Sequence, residues 1–141
     1  MAMEKLFKKA LDMRQFSHAP HSNFRVGAAL LTHDGKIFGG CNIESDVYGL
    51  TMCAERNAIF TAFSQGHRNF KALAVVTSSN GTPCGACRQI IVELCGNITV
   101  YTADLKGNQA SYQAYNLLPH HFTLTSPKNP ATSTKIHEIA I

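Results

Sequence analysis

The chain has 141 residues, with 13 lysines and arginines against 9 aspartates and glutamates, a net charge of +4 and 45% hydrophobic residues. That length favours one domain, able to bury roughly two-thirds of the surface its unfolded form exposes. The charge is small and scattered, with no Lys/Arg block longer than Lys8-Lys9, which argues against a nucleic-acid partner. No apolar run approaches membrane-spanning length, so a cytoplasmic protein without a membrane partner is expected.

A helix is predicted from about Ala2 to Phe16, because Met3, Leu6, Phe7, Ala10 and Leu11 share one face at helical spacing. It ends before Ala19-Pro20, since the residue ahead of a proline disfavours helical backbone. Glu4, Lys5, Lys8 and Lys9 interrupt the segment, so it is no signal-peptide core. A polar loop from His18 to Asn23 leads to two strands, Val26 to Thr32 and Lys36 to Asn42, joined at Asp34-Gly35, a strong hairpin signal. The first of them lacks clean alternation, as does a strand covered on both faces. From Asn42 to Met52 the pattern fails and a loop is expected. A helix then begins near Cys53, sets Ala58, Ile59, Ala62 and Phe63 on one face, and stops at Gly66.

Leu73 to Val76 is a buried strand candidate, and Ser78 to Pro83 is turn material. A second helix is predicted from Cys84 or Gly85 through Leu94 to Gly96, then a strand from Ile98 to Tyr101. Ser111 to Leu118 is predicted helical, stopped by Pro119. From Ser126 to Thr134 the composition turns to Ser, Thr, Pro, Asn and Lys, which cannot pack a core. Residues 1–125 are therefore expected to form a single domain, and 126–141 a tail that is disordered or contacts a neighbouring subunit. Strands alternating with helices point to an α/β sheet layered by helices.

Five cysteines, an odd number and partly in a C-x-x-C, suggest metal binding or catalysis over a disulfide framework. Cys53-Ala54-Glu55-Arg56 and Pro83-Cys84-Gly85-Ala86-Cys87 both fall where a loop turns into a helix. Unpaired N–H groups and partial positive charge at such a terminus stabilise thiolates. Zn²⁺ is the best fit to thiolate ligands. Cys53, Cys84 and Cys87 as ligands leave a fourth tetrahedral position for water, the open geometry of a catalytic site. Three thiolates give the zinc site a net negative charge, which Arg56 would offset, while Gln89 is expected to donate a hydrogen bond to a ligand sulfur. Glu55, two residues after Cys53, is too close in chain to ligate the same ion and is expected to move protons beside the bound water. The spacing matches the zinc nucleobase-deaminase signature, a ligand two residues before a Glu followed by Pro-Cys-x-x-Cys. A closed structural zinc site, with Cys41, Cys95 or a histidine as fourth ligand, is the alternative for the C-x-x-C alone.

Thr51-Met52-Cys53-Ala54-Glu55-Arg56 and Pro83-Cys84-Gly85-Ala86-Cys87-Arg88-Gln89 resemble the two zinc motifs of the small homotetrameric cytidine deaminases. Asn23-Phe24-Arg25-Val26-Gly27-Ala28-Ala29-Leu30 is similar to that family's first strand, and Gly40-Cys41-Asn42-Ile43-Glu44 to its ribose-binding stretch. The resemblance runs from the first helix to about Phe122. It implies a layered αβα sandwich around a mixed five-stranded sheet, one zinc per subunit, and hydrolytic deamination of cytidine and 2′-deoxycytidine in pyrimidine salvage. It further implies that Asn42 and Glu44 bind the ribose, Phe24 packs beside the substrate, and Ala54 with Glu55 reads the pyrimidine edge. Tyr48 and Phe122 would reach a neighbouring subunit's pocket in a homotetramer with shared active sites.

The chain departs from that family at Ser45-Asp46-Val47, where Asn-Ala-Ser is usual, and at His18 and His21, where tyrosines are common. Asp46, pointing inward, would alter how the 5′ end of a nucleoside is held. Other readings are a deaminase of a related cytosine nucleoside, such as blasticidin S or a modified cytidine, and a zinc-stabilised binding protein without catalysis. Nucleic-acid editing is disfavoured by the absence of a basic, aromatic-lined groove signature.

Overall fold

The computed structural model describes residues 2–124. The tail expectation for 126–141 lies outside the described residues. In chain order the elements are α1 (Ala2–Met13), β1 (Gly27–Thr32), β2 (Ile37–Cys41), α2 (Ala54–Ser64), β3 (Phe70–Val76), α3 (Gly85–Ile90), β4 (Thr99–Ala103), β5 (Gln109–Gln113) and α4 (Ala114–Leu117). The first helix, predicted to run to about Phe16, is α-helical to Met13 and finishes in a 3-10 turn at Arg14–Phe16. Among the described residues no helix is long and apolar enough to cross a membrane.

The strands form one sheet in the order β2-β1-β3-β4-β5. β3 and β4 are parallel and the other neighbouring pairs antiparallel, which makes the sheet mixed. β1 is buried along its whole length because both faces are covered. Ala28 and Leu30 face a core shared with Ala58, Ile59 and Ala62 of α2 and with Leu73, Val75 and Val100. Ala29 and Leu31 face the opposite way, towards Leu6 and Ala10 of α1 and Ala72, Ala74 and Val76 of β3. The period-two alternation of a strand thus feeds two apolar layers at once, and the result is the expected αβα sandwich.

The hairpin turn falls at Asp34-Gly35, with Gly35 at φ 91°, a conformation glycine adopts without a Cβ clash. A close approach fixes the position of α2. A Cβ on Gly40 would sit 2.4 Å from the Ala58 nitrogen and 2.5 Å from the Ala54 oxygen, so only glycine lets α2 settle this deeply on β2.

The far edge of the sheet differs from the sequence reading. Residues predicted helical from Ser111 divide into β5 and a short α4 limited to Ala114–Leu117. Asp104 Oδ1 accepts hydrogen bonds from Lys106 N at 2.8 Å and Asn108 N at 3.0 Å, building a tight turn that returns the chain along β4. Gln109–Gln113 then alternates exposed and half-buried positions, as an edge strand does. The predicted second helix also changes character, since Ile91–Cys95 continues α3 as a π-helix.

Candidate metal centre and active-site cleft

Cys53 is the residue that precedes α2, Cys84 the residue that precedes α3, and Cys87 lies in the first turn of α3. Their Sγ atoms all lie within 4.8 Å of one another. Cys53 and Cys84 Sγ are 3.8 Å apart, far beyond a disulfide bond. Tetrahedral zinc with sulfur at about 2.3 Å requires sulfurs about 3.8 Å apart, so the spacing fits a shared zinc ion. Cys84 Sγ also accepts from Cys87 N at 3.5 Å, which orients it towards the other two thiols. Among the described residues the cluster has three members, with Cys41 and Cys95 outside it. Burial pushes the Cys41 thiol up and the Cys95 thiol up to about 12, as for small packing residues. A set of three ligands, as found among the described residues, corresponds to the open arrangement.

Charge within the cluster is unevenly shared. The Cys87 thiol, and after it the Arg56 guanidinium, hold Cys53 down at about 5 despite desolvation. Cys87 is pushed up in turn, chiefly because it is the partner of the Cys53 sulfur and because it is buried. Arg56 Nη2 donates to Cys53 Sγ at 3.4 Å. Among the described residues its buried Nε has no hydrogen-bond partner, so the guanidinium is committed to the sulfurs at the expense of one of its own donors. Arg56→Ala is expected to weaken zinc binding or turnover by about 10–100-fold, measured by competition with a chelator. Wild-type zinc retention and activity in that variant would contradict this.

Gln89 does not take the role expected of it. Its Nε2 donates to Glu93 Oε1 at 3.1 Å and to the Phe122 carbonyl at 3.0 Å, so the amide ties α3 to the C-terminal segment and leaves the sulfurs to Arg56. The one-turn spacing from Gln89 to Glu93 explains the preference.

Glu55 is 4% exposed and lines the same cleft as Cys53 and Cys84. Burial is the main cause that lifts its carboxyl above the ordinary range, with the Cys53 sulfur adding to it, while a hydrogen bond with Cys87 acts in the opposite sense. The cleft has a volume of about 280 Å³, near the lower bound of roughly 300 Å³ for small-molecule sites. Phe24, Asn42, Glu44 and Ala54 all line it.

Its wall is a short ladder of three loop segments. His18 N donates to Asn42 O at 3.0 Å and Glu44 N to His18 O at 2.8 Å. Ile43 and Met52 exchange a pair of backbone bonds at 2.9 Å, which sets Asn42 and Glu44 beside the segment entering Cys53. The Asn42 side chain is a node of this wall: its Oδ1 accepts from Val26 N at 2.9 Å and from Ser17 Oγ, and its Nδ2 donates to Phe24 O at 2.8 Å. One amide hydrogen remains for a ligand. Glu44 accepts from His21 N at 2.9 Å, from Ser22 N at 3.1 Å and from the Ser22 hydroxyl. The Ser22 bonds hold its carboxyl below the usual range, so it presents a fixed anionic acceptor. Ser17 and Ser22 had no signal in the sequence, because each bonds a residue more than twenty positions away.

The remaining predicted substrate contacts fall outside the cleft of their own chain. Asp46 does not point inward: its side chain is 96% exposed, with Oδ1 at 3.1 Å from His21 Nε2. Tyr48 is 79% and Phe122 63% exposed, and neither lines this cleft.

Comparison with known proteins agrees with the site. A family model described as the cytidine and deoxycytidylate deaminase zinc-binding region matches residues 1–103. A cytidine deaminase of Sporosarcina psychrophila is 49% identical over 126 residues, covering 87% of this chain and 93% of that protein. One from Halalkalibacterium halodurans is 45% identical over 126 residues, covering 87% and 96%. The crystal structure of cytidine deaminase from Burkholderia pseudomallei is 45% identical, covers 86% of this chain and 100% of its own, and superposes with a TM-score of 0.83. Fold and site together define a zinc-binding hydrolytic deaminase. The chain belongs to the cytidine and deoxycytidylate deaminase family, and its three thiols fit one zinc ion.

Proposed function

We propose that this chain hydrolyses cytidine and 2′-deoxycytidine to the corresponding uridines in pyrimidine salvage. The observation that carries the reading is a buried carboxylate, Glu55, in one cleft with thiols from two helix starts. Zinc, held by Cys53, Cys84 and Cys87, supplies Lewis acidity that makes water a nucleophile at neutral pH. Glu55 takes one proton from the attacking water and delivers it to the ring nitrogen beside C4, then takes the second from the hydroxyl formed at C4 and delivers it to the departing amine. Burial raises its carboxyl above the ordinary range, which makes a proton easier to take. Water oxygen adds at C4, the C–N bond breaks, and ammonia leaves.

Phe24 packs on the nucleoside, the backbone of buried Ala54 bonds the pyrimidine edge, and Asn42 with Glu44 takes the ribose hydroxyl. The geometry supporting the last assignment is the locked Glu44 carboxylate on the cleft wall. Glu44→Ala is expected to raise KM for cytidine by about 10–100-fold, as for loss of a hydrogen bond to a charged group. An unchanged KM would remove Glu44 from the substrate site. Tyr48 and Phe122, exposed and outside their own cleft, are assigned to a neighbouring subunit of a homotetramer. The chain is assigned to the cytoplasm.

The test of the whole reading is uridine formation by the purified zinc-loaded chain from cytidine, 2′-deoxycytidine, blasticidin S and modified cytidines. Turnover of another member of the panel but not of cytidine would reassign the substrate. Absence of any turnover would reject the enzyme in favour of a zinc-stabilised binding protein.

A further inference from the structure

Arg88 follows Cys87 directly, yet its side chain reaches back across the metal loop. Nε donates to the Pro83 carbonyl at 2.8 Å, Nη2 to Thr82 Oγ1 at 2.8 Å, and Nη1 to the Leu117 carbonyl at 2.9 Å. All three nitrogens of one guanidinium are thereby bonded to protein, whereas an arginine on an open helix face leaves them to water. The planar fork is what allows three acceptors on two segments to be met at once.

The acceptors are not arbitrary. Pro83 is buried and immediately precedes Cys84, and Thr82 lines the cleft. The loop before them hangs from β3 by Thr77, whose Oγ1 accepts from Ser79 N at 3.2 Å and Gly81 N at 3.0 Å. Between these ends Asn80 adopts φ 57°, a conformation uncommon for a side-chain-bearing residue and one that needs support from its surroundings. Thr77 therefore fixes one end of the loop and Arg88 the other. Leu117, the last residue of α4, supplies a carbonyl from a part of the chain that holds no metal ligand.

We propose that Arg88 is a positioning residue that clamps Thr82-Pro83-Cys84 against α4 and so determines how firmly Cys84 is kept at the zinc. This rests on the reading that the three thiols hold zinc. The role differs from that of Arg56, which donates to a sulfur and acts by charge. Arg88 acts by shape, through the loop on which Cys84 is carried.

Lysine at this position keeps the charge and loses the fork, which separates the two modes of action. Thr82→Val removes one acceptor without changing size or charge. The measurement is the rate at which the zinc-loaded enzyme transfers its metal to a chromophoric chelator, with KM and kcat for cytidine recorded alongside. Arg88→Lys is expected to release zinc about tenfold faster than the wild type, with KM rising more than kcat falls because Thr82 lines the cleft. Thr82→Val is expected to give a smaller change in the same direction, and the double variant less than the sum of the two. A wild-type release rate in Arg88→Lys overturns the proposal, as does full additivity of the pair. Should Arg88→Lys fail to fold, a wild-type release rate in Thr82→Val alone overturns it. A wild-type chain that holds no zinc would instead overturn the zinc reading.

Discussion

Glu55→Gln is expected to lower kcat for cytidine by about 10²–10⁴-fold while zinc content and nucleoside affinity remain near wild type. Glutamine has nearly the volume of glutamate, so the cleft wall that Glu55 forms is preserved. What is lost is the capacity to take a proton at one atom and return it at another. The substitution also removes a carboxyl that burial holds above its ordinary range, so a loss of folding is not the expected outcome. Three measurements suffice: zinc per chain, nucleoside dissociation constant, and single-turnover rate. A rate within tenfold of wild type would show that the proton moves by another route. The same variant separates catalysis from simple binding, because a binding protein gives the same dissociation constant and no turnover in either form.

Cys84→Ser is expected to abolish turnover by a different path, with bound zinc below roughly a tenth of an ion per chain. Serine is chosen for two reasons. Cys84 is exposed, so no core cavity is created. It also precedes α3 and accepts the Cys87 N–H, a task at which a serine hydroxyl is at least as good as a thiol. The helix start is therefore kept and only the soft, ionisable ligand is removed. Zinc is counted by atomic absorption and helicity by circular dichroism. One full zinc ion in the variant would exclude Cys84 as a ligand.

Much of this arrangement is legible in the sequence because the relevant residues are close in chain. Cys53 with Glu55, and Cys84 with Cys87, stand in short runs whose spacing carries its own chemistry. The hairpin at Asp34-Gly35 and the doubly covered β1 are equally local signals. What escaped is what depends on distant partners. The five residues Gln109–Gln113 are too polar to announce a strand, and only pairing with β4 reveals their alternation. Gln89 has a sulfur-rich neighbourhood in the sequence, but Glu93 one turn on and the Phe122 carbonyl claim its amide. Asp46 stands beside predicted substrate contacts in the chain yet turns outward to His21. Arg88 is legible as part of a motif, while its purpose lies in acceptors five and six residues behind it and 29 ahead.

The placement of the three thiols on two successive helices has a thermodynamic consequence. Cys53 and Cys84 are 31 positions apart, and one ion held between them closes a loop that contains all of α2 and β3. A bridge of that span restricts the unfolded chain much as a cross-link does, but it is reversible. Because the folded form gathers the three sulfurs and the unfolded form does not, free zinc concentration enters the folding equilibrium by mass action. The melting temperature of this protein is therefore a function of zinc activity, and two values are comparable only when measured at the same buffered free zinc.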